Sequence, residues 1–125
     1  MKYISTNGAP AAVGPYSQAI VSGNYLYASG QVGFIPSTGA LAEGGIVGQA
    51  EQVMKNIDAI LTAAGTDYKH VVKTTCFLND INDFATFNEV YAKYFSDHKP
   101  ARSCFAVEAL PKGALVEVEL VAELS

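Results

Sequence analysis

Leu115-Val116-Glu117-Val118-Glu119-Leu120-Val121 alternates apolar and acidic residues with a period of two, which sets Glu117 and Glu119 on one face of a strand. Upstream, Pro100-Ala101-Arg102-Ser103-Cys104 opens another β-like run, Ala101 to Val107, with a guanidinium in a place where a sheet normally has none. An arginine beside a two-carboxylate face is either a cross-strand charge pair or a small site for an anion plus a proton carrier. Spacing alone leaves both readings open.

The remaining chain supplies the elements around these runs. Ser17 to Val21 and Tyr25 to Ser29 read as strands joined through Ser22-Gly23-Asn24, since Gly and Asn tolerate the positive φ of a hairpin turn. Pro36-Ser37-Thr38-Gly39 is a turn. Between Ile46 and Ala64, Ile46, Ala50, Val53, Ile57, Ile60, Leu61 and Ala64 recur every three or four residues, one face of a helix that Gly65 stops. Val71 to Leu78 is a β-branched strand. Asn82 or Asp83 then caps a second helix whose stripe is Phe84, Phe87, Tyr91, Tyr94 and Phe95. A further strand fits Lys2 to Ser5. The order ββ-α-β-α-ββ predicts an α+β fold, one mixed sheet with two helices packed on one face, as a single domain over residues 1–125. Such a sheet, carrying Val118, Leu120 and Val121, has a second face to cover, and a cyclic homo-oligomer covers it.

Composition narrows the partners. The net charge is −4 and only eight residues are basic, so no nucleic-acid partner is expected, because phosphate binding needs clustered Lys and Arg. No N-terminal basic-plus-apolar segment occurs and no apolar run approaches about 18 residues, so neither a signal peptide nor a membrane span is expected. Cys76 and Cys104 lie in apolar runs without paired spacing, which suits free thiols in a cytoplasm.

Most ready-made chemistries do not fit. His70 and His98 have no Cys or His at ligand spacing, so no metal site is expected. Gly30-Gln31-Val32-Gly33 and Gly44-Gly45 form neither a P-loop nor a dinucleotide fingerprint. Cys104 as a nucleophile needs a thiolate, which Arg102 two residues away favours but no nearby base supports. Gly14-Pro15-Tyr16 delivers a tyrosine to a strand entrance, as a pocket hydroxyl or as a packing ring. Asn88 lies at the edge of the second helix's stripe, either solvated or functional.

Six ordered segments carry a resemblance: Ala9 to Gln18, Ser29-Gly30-Gln31, Asn82-Asp83-Phe84-Ala85, Phe87-Asn88-Glu89-Val90-Tyr91, Pro100 to Cys104, and Leu110-Pro111-Lys112 before Val116-Glu117-Val118-Glu119. With this order and spacing the chain resembles the RidA/YjgF family of reactive-intermediate (enamine/imine) deaminases along nearly its whole length. The resemblance implies a chorismate-mutase-like α+β fold forming homotrimers, with active sites in clefts between subunits. It implies cofactor-independent hydrolysis of 2-iminobutanoate and 2-iminopropanoate, products of threonine and serine dehydratases, to 2-oxo acids and ammonia. Carried over residue by residue, Arg102 holds the substrate carboxylate, Glu117 sits by the hydrolytic water, and Tyr16, Gly30, Asn88 and Cys104 line the pocket. Phe105-Ala106-Val107-Glu108-Ala109 departs from the family's usual Val-Glu-Val-Ala-Arg, which bears on subunit contacts. Two other functions stand as alternatives: a protein that uses the same pocket to bind 2-oxo acids without turnover, and an endoribonuclease or translation inhibitor, against which the acidic pI, the lack of a basic stripe and the absence of a usable histidine pair count.

Overall fold

The strands are β1 (Lys2–Ile4), β2 (Ala19–Ser22), β3 (Tyr25–Val32), β4 (Val71–Leu78), β5 (Ala101–Ala106) and β6 (Val116–Glu123), with helices α1 (Gly45–Ala64) and α2 (Phe84–Tyr94). This computed structural model describes residues 1–124. The six strands form one sheet in the order β1-β2-β3-β6-β4-β5. Only β4 and β5 run parallel, and α2 is the crossover that a parallel pair requires. The two helices pack together over one face, as the α+β reading expects.

Local chemistry explains the boundaries. Gly23, at φ 62°, turns β2 into β3, and Ser22 pairs with Tyr25 across the two-residue loop. In α1, Ala50, Val53, Met54, Ile57, Ile60 and Leu61 are buried at helical spacing, each large side chain contributing about 1.5–3 kcal/mol. Gly65 ends the helix at φ 80°, where its N–H donates to Thr62 O and the N–H of Thr66 to Leu61 O, both at 3.0 Å.

Helix α2 departs from expectation in two ways. Its cap is not a side chain of Asn82 or Asp83: a single 3₁₀ turn, Ile81–Asp83, precedes it, and Asp80 caps that turn by accepting from Asn82 N at 2.9 Å. The buried stripe is also displaced, to Phe87, Val90 and Tyr91, with Phe95 buried just beyond the helix. Phe84 is 36% exposed, and Tyr94 is half-buried because its hydroxyl reaches out to donate to Glu51 Oε2 on α1 at 2.9 Å.

The sheet separates two sets of residues. Val116, Val118, Leu120 and Ala122 are buried towards the helices, where Leu120 pairs with Thr74 and Val118 with Cys76. Of the apolar residues expected on the uncovered face, only Val121 lies there, because period two sends Val118 and Leu120 to the core. The uncovered face instead carries Tyr27 opposite Val121, Thr75 opposite Glu119, and Phe77 opposite Glu117. Phe105 extends that last row, its ring edge-on to Phe77 at 5.3 Å, so the first residue of the Phe105–Ala109 segment adds an aromatic ring to the open face.

Candidate active site

Arg102 stands on β5, the sheet's edge, paired with Thr74 of β4. Thr74 is in turn paired with Leu120, so Arg102 belongs to the helix-facing side. There α2 meets it. Arg102 Nη1 donates to Asn88 Oδ1 at 2.7 Å, and the guanidinium carbon lies 4.8 Å from the Tyr91 ring centre and 5.4 Å from that of Phe84. Asn88 is therefore not a solvated helix residue but a direct partner of the arginine. One of the guanidinium's five N–H donors is engaged by Asn88, and among the described residues no side chain or carbonyl accepts from the others, which leaves a fork for a ligand.

Cys104 follows on the same side, half-buried and paired with fully buried Cys76. Burial pushes the Cys104 thiol up, and Arg102 only partly offsets it. Burial likewise raises Cys76, to about 12, with Cys104 beside it adding to the effect. Neither environment favours the thiolate that nucleophilic chemistry needs.

Glu117 belongs to a different place. It lines a cavity of about 800 Å³ together with Tyr16, Gly30, Phe34, Pro111 and Lys112. β3 bulges between Ala28 and Gln31, so that Ser29 and Gly30 together face Glu119 of β6. A Cβ on Gly30 would lie 2.1 Å from Glu117 Oε2, so the carboxylate occupies the room that glycine leaves. Burial raises the Glu117 pKa above the usual carboxylate range, and the nearby Glu119 charge raises it further.

A loop brings in Tyr16. Gly14, at φ 129°, and Pro15 form a three-residue turn in which Tyr16 N donates to Gly14 O at 2.9 Å. The ring is 52% exposed at the cavity rim. Buried Gln18 anchors this loop: its Oε1 accepts from Thr6 N at 2.7 Å, and its Nε2 donates to Thr6 O at 3.1 Å and Pro10 O at 2.7 Å.

The expected constellation of Arg102 with Glu117 and Glu119 is thus divided. β4 lies between β5 and β6, and the registers put the arginine and the carboxylates on opposite faces of the sheet. No cross-strand charge pair forms, and neither ion pair among the described residues, His70–Asp67 or Lys93–Glu51, involves these groups. One chain thus holds two separate groups of candidate residues, Arg102 with Asn88 and Cys104, and Glu117 with Gly30 and Tyr16.

Three residues beside these groups were not assigned to the site from the sequence. Phe84 and Tyr91 stand four before and three after Asn88, a helical spacing that marks all three as one face. Among the described residues, Lys112 alone of the non-glycines has a positive φ, 55°, in the turn Pro111–Gly113 at the cavity, with its ammonium 5.9 Å from the Phe34 ring centre. Its position between Pro111 and Gly113, turn residues both, was the available signal.

Comparison with known proteins agrees with this architecture. The family model described as Endoribonuclease L-PSP matches residues 6–124. A mouse protein named 2-iminobutanoate/2-iminopropanoate deaminase is 54% identical over 121 residues, 97% of this chain and 90% of the mouse protein. The solved structure of RidA from an Antarctic Psychrobacter species shares 50% identity at a TM-score of 0.94, over 98% of this chain and 99% of that one. The structure of Escherichia coli TdcF with bound serine shares 41% identity at a TM-score of 0.95, over 100% of both chains. With its sheet order, its near-complete coverage and identities of this size, the chain belongs to the Endoribonuclease L-PSP family, that of the RidA/YjgF proteins.

Proposed function

We propose that this protein is a 2-iminobutanoate/2-iminopropanoate deaminase, working as a homotrimer whose active sites join the Arg102 half of one subunit to the Glu117 half of the next. The observation that carries the reading is the division of the site. A guanidinium with an open fork and a desolvated carboxylate beside a cavity stand on opposite faces of one sheet. Each half lacks what the other has, and an uncovered face bearing Tyr27, Val121, Phe77 and Phe105 is where a second copy would pack.

The chemistry follows from the groups. The planar fork of Arg102 grips the substrate carboxylate at two points and fixes the neighbouring imine carbon. Glu117 takes a proton from water as the oxygen adds to that carbon. It then returns the proton to nitrogen, and, as a carboxylate again, takes the hydroxyl proton as ammonia leaves and the carbonyl forms. A carboxyl whose pKa burial raises is a better proton acceptor than an exposed one and suits both transfers. The iminium is already electrophilic, so positioning and proton movement suffice without a metal or organic cofactor. Tyr16, Gly30, Asn88 and Cys104 line the pocket in this reading. The relative TdcF with bound serine supports a small amino-acid-like ligand. The net charge of −4 offers RNA no basic stripe, and the two free thiols suit a cytoplasmic location.

The test couples a threonine dehydratase to the purified protein and follows 2-oxobutanoate release above the spontaneous rate. Arg102→Ala, Arg102→Lys and Glu117→Gln should each lose roughly a hundredfold, since misplacement by about 1 Å costs that much. Light scattering should give about three times 13.2 kDa. Arg102→Ala and Glu117→Gln chains refolded together should recover activity, because some clefts then receive both intact halves. Mixed trimers that remain inactive would overturn the shared site. Binding of 2-oxobutanoate without any turnover would favour a sensor over an enzyme.

A further inference from the structure

Arg102 is held by more of the fold than a single hydrogen bond. Phe84, Asn88 and Tyr91 occupy i, i+4 and i+7 of α2, and all three meet the same guanidinium. Tyr91 is itself fixed. Its hydroxyl and that of Thr74 are hydrogen-bonded at 2.8 Å in a buried position, and Thr74 is the residue paired with Arg102 on the adjoining strand. The connections close on themselves: strand pairing sets the Arg102 backbone beside Thr74, Thr74 sets the Tyr91 hydroxyl, and the Tyr91 ring faces the guanidinium. Asn88 then fixes rotation about the remaining axis.

Tyr91 and Thr74 are buried, so on that side of the part-buried guanidinium water screens the attraction between ring and cation less than at a free surface. A core tyrosine that served packing alone would need no such alignment with an edge-strand cation. Resting on the proposed role of Arg102 in holding a carboxylate, we infer that Tyr91, tethered by Thr74, and Phe84 are positioning residues that set the plane in which the guanidinium presents its fork. They touch no substrate. They fix its orientation through Arg102.

Truncating Tyr91 would confuse the test, because its ring also packs on Phe87 at 5.6 Å and Phe95 at 4.7 Å. The informative variants are gentler. Thr74→Val with Tyr91→Phe removes both ends of the hydrogen bond, keeps the ring, and leaves no buried hydroxyl without a partner. Phe84→Leu removes a ring at the surface, and Phe84→Tyr restores one. Each trimer is titrated with 2-oxobutanoate by calorimetry and assayed for imine turnover.

Phe84→Leu should weaken 2-oxobutanoate binding and raise KM by roughly fivefold, with kcat changed less, and Phe84→Tyr should bind like the parent. The Thr74→Val/Tyr91→Phe pair should lower kcat about tenfold while binding weakens less, since a tilted fork still attracts a carboxylate but misdirects the imine carbon. Phe84→Leu and the double variant both behaving like the parent would overturn the inference, as would equal losses in Phe84→Leu and Phe84→Tyr. Arg102→Ala separates the two levels. If it loses 2-oxobutanoate binding while the ring variants keep theirs, only the positioning role fails. If Arg102→Ala binds normally, the carboxylate role of Arg102 fails first.

Discussion

The two proposed half-sites are held by opposite means. Around Arg102, order comes from added side chains: a hydrogen bond from Asn88, rings from Phe84 and Tyr91, and a strand partner in Thr74. Around Glu117, order comes from what is left out: a bulge in β3, a missing Cβ at Gly30, and a loop pinned from a distance by Gln18. The first arrangement has several partly redundant contacts, so single substitutions should weaken it in steps. The second is steric, and it should fail at once when the space is filled.

Gly30→Ala is the sharpest way to break that contrast. The new methyl would stand 2.1 Å from Glu117 Oε2 and 2.8 Å from Cδ, so the carboxylate must swing away. Those atoms end a flexible side chain, so the sheet should survive while the catalytic geometry does not. Imine hydrolysis should fall roughly a hundredfold, with thermal unfolding little changed. A rate close to the parent's would mean that the present carboxylate position has no bearing on the reaction.

Asn88→Ala tests the other half. It removes one charge-assisted hydrogen bond but leaves both rings in place. Such bonds contribute about 1.5–3 kcal/mol, yet the rings retain part of the orientation. KM should therefore rise about tenfold, with kcat falling less. A loss as large as that of Arg102→Ala would show that Asn88 alone positions the guanidinium, and the idea of shared, stepwise support would be lost.

Much of this was legible in the sequence, and the remainder has a physical reason for being hidden. Val71–Leu78 reads as a strand to the residue because Val71, Val72, Thr74 and Thr75 favour β-structure and no Gly or Pro breaks the run, and α1 is correct within one residue because Gly65 can only be a stop. The start of α2 falls where the sequence placed it, with Asp83 at the N-cap position, but the capping side chain was misread because Asp80 caps a preceding 3₁₀ turn that sequence pattern does not distinguish from the helix itself. Period two tells which residues of one strand share a face, but not how that face relates to a strand two places away. That relation depends on how β4 pairs with both β5 and β6, a tertiary fact, so Arg102 and Glu117 looked like neighbours. Phe84 and Tyr91 looked like core because an aromatic stripe at helical spacing carries no mark of the cation it faces.

The carboxylate half also makes a pH prediction. Burial and the neighbouring Glu119 raise the folded-state pKa of Glu117, so the folded protein holds this proton more tightly than the unfolded chain does. The associated stabilisation is fully present below the ordinary value of 4.5, and is lost as pH rises through 4.5 towards the raised folded value. Glu117→Gln cannot ionise and escapes that loss. Its Tm should exceed the parent's at pH 7, with the gap narrowing as the solution is acidified below 4.5. Parallel Tm curves for the two proteins across that range would show that Glu117 pays no desolvation cost on folding.

The smallest effect is expected at Cys104, and its smallness is informative. Cys104 shares the arginine's face, so an electrostatic argument could make it a thiolate nucleophile. Burial acts against this and is the larger influence, while Cys76 opposite is also held protonated. A side chain that only fills space beside the guanidinium can be shortened without touching the carboxylate grip or the proton carrier. Cys104→Ala should therefore keep its rate within about threefold of the parent, because one small truncated contact costs no more than roughly 0.5–1 kcal/mol. Alkylation gives an independent reading: at neutral pH the parent should react with iodoacetamide more slowly than a free thiol does. Complete loss of turnover in a correctly assembled Cys104→Ala protein would reverse the argument. The reaction would then pass through a covalent adduct at Cys104, and Arg102 would serve the thiolate rather than the substrate.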